Sequence, residues 1–389
     1  MLTSFALIFL LGMLIGGLIN KLKLPRLLGM LLTGILLGPY VLNLLDSSVL
    51  GISADLRKLA LIIILIRAGL SLDINDLKKV GRPAVLMCFV PACIEMLGVV
   101  LIAPKLLGIS SIEAAIMGAV VCAVSPSVII PRMLSLIENK YGAKKGIPQI
   151  IMSSVSAEAC FSSVMLMAFI GLEQGGGISP LDFIQIPASI ALGLLGGVSV
   201  GVALTKFFEK ISMRDTLKVI VLLSISFLFF AVEGISIVPF SGVLATVGMS
   251  AAVYKKNASV AQRLSSKFSK IWLGAEIMLF VLVGASVDLG YAVSAGFVVI
   301  LVVLGALMFR MAGVFCCLIK THLSMKERAF CMIAYIPKAT VQAAIGSIPL
   351  SMGLSCGKIV LTVAVLVILT TAPLGAFGID LTYKRLLME

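Results

Sequence analysis

Ile336-Pro337-Lys338-Ala339-Thr340-Val341-Gln342-Ala343-Ala344-Ile345-Gly346 lies inside an apolar run and sets a proline beside a lysine, where a continuous membrane helix has use for neither. Proline removes a backbone donor and frees a carbonyl. An ionisable group near the centre of a bilayer costs about 3 kcal/mol or more and is normally paired or functional. A second interruption, Ala123-Val124-Ser125-Pro126-Ser127 followed by Pro131, falls in the first half of the chain. Either proline alone reads as an ordinary kink. The pair, matched between the two halves and carrying a lysine on one member, points to the binding site of a transporter.

The surroundings of both stretches identify the solvent. Of 389 residues, 60% are hydrophobic and 13% charged, against about 45–50% and about 25% in an ordinary soluble domain. Runs such as Leu59–Ile66 and Ile359–Leu369 are continuous and lack a period of two, so the spanning elements are helices and not the strands of a barrel. Loops, charges and prolines predict thirteen spans: 2–20, 26–45, 57–72, 83–104, 111–136, 147–172, 181–205, 217–232, 236–254, 271–289, 292–319, 327–351 and 357–380. Most of the 31 basic residues then fall in alternate loops, beginning with Lys21, Lys23 and Arg26, then Lys78, Lys79 and Arg82, and ending with Lys384 and Arg385. The opposite side holds Arg57, Lys58, Lys105 and Lys358. Basic residues lie in cytoplasmic loops, which predicts an all-α, multi-pass protein of the cell inner membrane with its N-terminus outside and its C-terminus in the cytoplasm. The first apolar run has its charges after it, the reverse of a signal peptide.

The same asymmetry accounts for the formal net charge of +13 without nucleic acid. The eight cysteines form no CxxC pattern and read as small buried hydrophobes. His322 stands alone beside Lys320, which makes no metal site. No nucleophile–base set and no phosphate-binding loop is present, so neither an enzyme nor a cofactor is expected.

Glu95, Glu158, Arg310 and Lys338 lie inside apolar runs, as does Arg67, which is close enough to a span end to snorkel. Ser154, Glu158 and Ser162 fall at i, i+4 and i+8, one face of a helix, and hydroxyls beside a carboxylate suit a hard cation. Glu113, Glu233 and Asp288 read as solvated near the outer surface, and Glu276 near the inner end of its span. Gly12/Gly16, Gly193/Gly197 and Gly197/Gly201 are small-xxx-small pairs that permit close helix approach; the first suits a panel or dimer contact.

Three segments carry a resemblance: the Ser125-Pro126 stretch, Gly146-Ile147-Pro148 leading to Glu158, and Ile336–Gly346. Together with Arg67-Ala68-Gly69-Leu70 and Leu72-Asp73 they resemble the monovalent cation/proton antiporter superfamily, in the branch that includes the NHA-type sodium/proton exchangers, along nearly the whole chain. The resemblance implies two inverted six-helix repeats with spans five and twelve broken and crossed. Residues 1–72 and 217–289 would form a dimerisation panel, 83–172 and 292–380 an ion-carrying core, and 181–205 a linker. The implied unit is a homodimer in the bilayer exchanging Na⁺ or Li⁺ for H⁺ by alternating access.

One departure bears on that function. The family carries two adjacent acids in span six, or Asn-Asp; the register from Gly146 places Glu158 and Ala159 there. Glu158, with Ser154 and, from the crossing helix, Ser125 and Ser127, is the implied ion-binding set. The alternative is that Glu158 is a structural counter-ion to Arg310 or Lys338. Arg310 matches the basic position facing the span-six acids, and Glu95 occupies the corresponding place of the first repeat, so a Glu95–Arg310 pair is expected. Lys338 is expected to neutralise half-helix carbonyl ends. Loss of the second acid leaves a second function open: a divergent relative that carries an anion or senses rather than exchanges. A channel is disfavoured by the broken helices.

Overall fold

A computed structural model describes residues 1–22, 24–71, 81–142, 144–174, 182–234 and 240–387. Lys23, Leu72, Asp73, Lys78 and Lys79, used in the sequence reading, lie outside them. Every regular element among the described residues is a helix: α1 Leu2–Lys21, α2 Arg26–Leu37, α3 Ser47–Gly51, α4 Ser53–Leu70, α5 Arg82–Met87, α6 Val90–Leu107, α7 Ser111–Val121, α8 Pro126–Glu138, α9 Ile147–Gln174, α10 Asp182–Lys210, α11 Asp215–Gly234, α12 Gly242–Lys256, α13 Ala258–Ala285, α14 Leu289–Leu318, α15 Met325–Ala334, α16 Thr340–Ile345, α17 Ile348–Ser351 and α18 Gly357–Leu386. By length and composition, nine of the described helices, counting α5–α6 and α7–α8 as one each, are able to cross a membrane.

Several boundaries differ from the expected spans, each for a local reason. The second span stops at Leu37 because Gly38 turns extended and Pro39 follows, and a residue before proline disfavours the helical region. The fourth is broken at Cys88–Phe89, since Pro91 has no N–H to give the Met87 carbonyl. The tenth begins at Ala258, well before the expected residue 271. Asn257 Oδ1 caps its start by accepting from the Val260 amide at 3.1 Å. Ala261, Leu264 and Phe268 then bury one face while Gln262, Arg263 and Lys270 stay exposed, an amphipathic turn pattern that the basic residues disguise as a loop. The last helix runs on to Leu386 with Lys384 and Arg385 in its final turn, where cations favour the helix dipole.

The chain forms two compact units. The first comprises Met1–Arg57, Asp76–Ser162 and Glu276–Glu389. In it α1 packs on α2, with Gly16 against the Arg26 carbonyl and Met30, while Gly12 packs on Ile277 and Val281 of α13. Both glycines are thus buried within the chain, not free for a contact between copies. Arg57, expected at the outer end of its span, is buried in α4 and its Nη1 donates to Ser286 Oγ at 2.9 Å. Helices α6 and α14 lie along one another, brought close by Gly98 under the Phe309 ring, Gly305 under Ile102 and Gly313 against Pro91. Met87, Val124, Ile151, Val314, Phe330 and Tyr335 fill a common core between the broken helices and their neighbours. In lipid such association rests on packing and hydrogen bonds rather than on expulsion of water.

The second unit comprises Lys58–Asn75 and Ser163–Ala275. Gly193, Gly197 and Gly201 on α10 meet Ser241, Ala245 and Met249, the last two on α12 and Ser241 at its N-cap, so closely that any Cβ would strike backbone. Lys58 stands over the Phe230 ring at 5.5 Å. Asp215 accepts from Arg263 at 2.9 Å and lies 3.6 Å from Lys218.

Candidate ion-binding site

The two predicted interruptions are real breaks, and they lie against each other in the first unit. Helix α7 ends at Val121 and α8 begins at Pro126; α15 ends at Ala334 and α16 begins at Thr340. Proline at the first position of α8 loses nothing, because that N–H has no partner inside a helix. The Ser125 amide crosses over to donate to the Pro337 carbonyl at 2.9 Å.

A helix end leaves its last carbonyls unpaired, and here side chains from the second half take those of α7. Gln342 Nε2 donates to the carbonyls of Val120 (3.1 Å), Val121 (3.2 Å) and Ala123 (2.7 Å). The Cys122 carbonyl accepts from Lys338 Nζ at 3.2 Å and also from Arg310 Nη1. Two cations therefore sit at the end where the helix dipole is negative. The Lys338 amide donates to Thr371 Oγ1 at 3.1 Å.

Around these ends lie four charges, each at most 1% exposed. Arg310 Nη1 is 2.5 Å from Glu95 Oε2, and Lys338 Nζ reaches the same oxygen at 2.6 Å. Arg310 Nη2 is 2.8 Å from both oxygens of Glu158. Its Nε donates to the Tyr335 carbonyl at 2.8 Å. The guanidinium thus serves both glutamates at once, where the sequence suggested a choice between them; a planar fork with five donors makes this possible. Two carboxylates and two cations balance, which is what allows them to be buried. Glu95 Oε1 is buried without a hydrogen bond.

The predicted hydroxyls are placed as follows. Ser154 Oγ donates to the carbonyls of Ile150 (2.7 Å) and Ile151 (3.1 Å) and meets the Tyr335 hydroxyl. Ser162 Oγ donates to the Ala119 carbonyl at 2.5 Å. Ser125 Oγ lies 3.0 Å from Ser127 Oγ and 3.4 Å from Thr340 Oγ1. Ser125 and Ser127 are thus engaged at the crossing itself.

Tyr335 and Gln342 were missed as site residues. Gln342 lies in the opening stretch; its signal was an amide in an apolar run. Tyr335 directly precedes that stretch and carries no charge or break of its own to mark it. Two other expectations are corrected. Glu276 is 7% exposed rather than solvated, because the early start of α13 puts it in mid-helix. Cys93 and Cys316 are exposed, unlike the five buried cysteines; they lie on the outer faces of apolar helices. Arg67 is half-buried in α4.

Broken helices whose ends meet around a buried, charge-balanced cluster define a membrane transporter. The chain belongs to the transmembrane sodium/hydrogen exchanger family, whose model matches residues 6–384. It is 32% identical over 386 residues to sodium/hydrogen exchanger 9B2 of Homo sapiens, covering 94% of this chain and 70% of that protein. Against sodium/hydrogen exchanger 9B1 of Homo sapiens it is 29% identical over 380 residues, covering 94% and 73%. In fold it matches the sodium proton antiporter MjNhaP1 of Methanocaldococcus jannaschii, with a TM-score of 0.87 at 20% identity over 100% of this chain and 99% of that one.

Proposed function

We propose that this exchanger moves Na⁺ or Li⁺ against H⁺ by alternating access, with Glu158 as the group that holds cation and proton in turn. The observation that carries this reading is the attachment of Glu158. It is fully buried at the broken helices, and one nitrogen of Arg310 holds both its oxygens. Arg310 keeps three other acceptors, so Glu158 can leave it for a cation or a proton without stranding the guanidinium. Arginine itself cannot release a proton, and Glu95 is held by two cations.

The inverted-repeat reading, with thirteen spans, draws support from a correspondence between the halves. Helix α7 opens with a capping box, Ser110 with Glu113, and Glu113 accepts from Ser355 Oγ at 2.6 Å, just before α18. Helix α15 opens with the same box, Ser324 with Glu327, and Glu327 accepts from Lys145 Nζ at 2.8 Å, just before α9. On this reading residues 1–72 and 217–289 form the panel of a homodimer, 83–172 and 292–380 the moving core, and 181–205 the linker. The N-terminus faces outward from an inner membrane.

Proton flux in proteoliposomes, read by a pH-sensitive dye with Na⁺, Li⁺ and K⁺ added in turn, tests the function. Native protein responds to Na⁺ or Li⁺, and Glu158→Gln does not. Full flux in Glu158→Gln moves the ion to another group. A second reading rests on Ala159 and on the engagement of both Glu158 oxygens: a non-exchanging relative, which the same assay detects as native protein silent to all three cations.

A further inference from the structure

A cation leaving water needs several oxygens in place of its hydration shell. Glu158 supplies a carboxylate, and Ala159 offers no side-chain oxygen beside it. Ser154 lies one turn earlier on the same face of α9, about 5–6 Å away between Cβ atoms by helix geometry, a span one cation bridges between two side-chain oxygens. Its hydroxyl proton is committed to the Ile150 and Ile151 carbonyls. With the Ser154 proton on one of those carbonyls, it is the Tyr335 hydroxyl that donates across the contact and Ser154 Oγ that accepts.

A phenol oxygen that spends its proton in this way keeps its lone pairs, and among the described residues Ser154 Oγ is the one hydrogen-bond partner of Tyr335 Oη. The side chain is fully buried. Its position is fixed from three sides: the hydroxyl on Ser154, the ring 5.3 Å from the Arg310 guanidinium, and its own carbonyl on Arg310 Nε. Tyr335 is also the residue at which α15 ends, so the break in the helix presents this oxygen to the turn that precedes Glu158.

We propose that Tyr335 Oη is a ligand of the transported cation, acting with Glu158 and Ser154, and that this neutral oxygen supplies a contact for which Ala159 has no side-chain oxygen. The proposal rests on Glu158 as the cation-binding group. It gives a site with one charged ligand and neutral oxygens around it.

Tyr335→Phe keeps the ring over Arg310 and the backbone carbonyl and removes Oη alone. The measurements are the Na⁺ and Li⁺ dependence of proton flux in proteoliposomes, a ²²Na⁺ binding isotherm in detergent, and the melting temperature. The half-saturating Na⁺ concentration rises about tenfold, the scale of one lost oxygen contact, while maximal rate falls by less and melting hardly moves. The preference between Li⁺ and Na⁺ changes. Ser154→Ala shifts the same quantity, and the double variant shifts it by less than the product of the two; Ser154→Ala alone carries the test where Tyr335→Phe does not reach the membrane. A native half-saturation in Tyr335→Phe overturns the proposal, as does a loss of rate and melting temperature with half-saturation unchanged, the mark of a brace. Glu158→Gln run in parallel separates the two levels. If it is silent while Tyr335→Phe is native-like, only the tyrosine is wrong. If it keeps flux and Na⁺ binding, or if native protein binds neither cation, the carboxylate reading and this proposal fall together.

Discussion

Arg310 and Glu158 are joined through a single nitrogen, Nη2, which lies 2.8 Å from each carboxylate oxygen. The other nitrogens of Arg310 serve Glu95 and the carbonyls of Cys122 and Tyr335. The guanidinium is therefore anchored on one side and exchangeable on the other. Glu95 belongs to the anchor, Glu158 to the exchangeable arm, and the two glutamates respond differently to substitution.

Glu95→Gln removes a charge on which Arg310 and Lys338 both depend. Breaking a buried pair by removing one partner costs about 3–5 kcal/mol. Thermal unfolding in detergent shows a marked fall. An unchanged melting temperature in Glu95→Gln would show that the shared oxygen carries little of the stability.

Ala159→Asp adds a carboxylate next to a cluster in which two acids balance two cations. The surplus negative charge attracts a cation, so the half-saturating Na⁺ concentration of proton flux falls. If native protein is silent and Ala159→Asp gains flux, the native chain is the non-exchanging relative. A rise in half-saturation would mean that the new acid pairs with Arg310 instead.

Gly375→Ala pushes a methyl group into the Pro337 ring, with the new Cβ 2.7 Å from the proline nitrogen. Pro337 cannot retreat without losing the Ser125 amide. Overpacking of this kind costs about 1–3 kcal/mol. Lower melting and lower flux are expected together, and native values of both would show that the break has room to shift.

Glu327→Ala and Glu113→Ala remove the same capping box at the starts of the two broken helices. Glu327 also accepts from Lys145, and its side chain is 2% exposed. Losing a cap and a charge-assisted bond costs about 2 kcal/mol, against about 1 kcal/mol for Glu113, whose partner is a hydroxyl. Lys145→Met has the smaller effect, since the lysine side chain is 38% exposed. Equal melting temperatures for the two alanine variants would argue against the ion pair.

How much of this was legible depended on how local the cause was. The breaks could be read because proline acts on its own helix, through a missing donor. The meeting of Glu95 with Arg310 could be reasoned because neither charge tolerates burial alone. The sharing of Arg310 by two glutamates was not readable, because it depends on which nitrogen faces which helix. Tyr335 was invisible for a related reason: its hydroxyl meets Ser154 across 181 residues of sequence. The early start of α13 was hidden because three buried apolar residues, Ala261, Leu264 and Phe268, are outnumbered in that segment by polar and basic ones.

The carbonyls of Val120 and Ala123 wait for Gln342, 222 and 219 residues later in the chain. During synthesis at about 5–20 residues per second, that interval is on the order of ten to forty seconds. Throughout it the first broken helix has bare carbonyls that lipid cannot satisfy. The first half therefore cannot settle into the bilayer as a finished piece. It must stay hydrated, or sheltered by the insertion machinery, until the ribosome has delivered the glutamine that closes it.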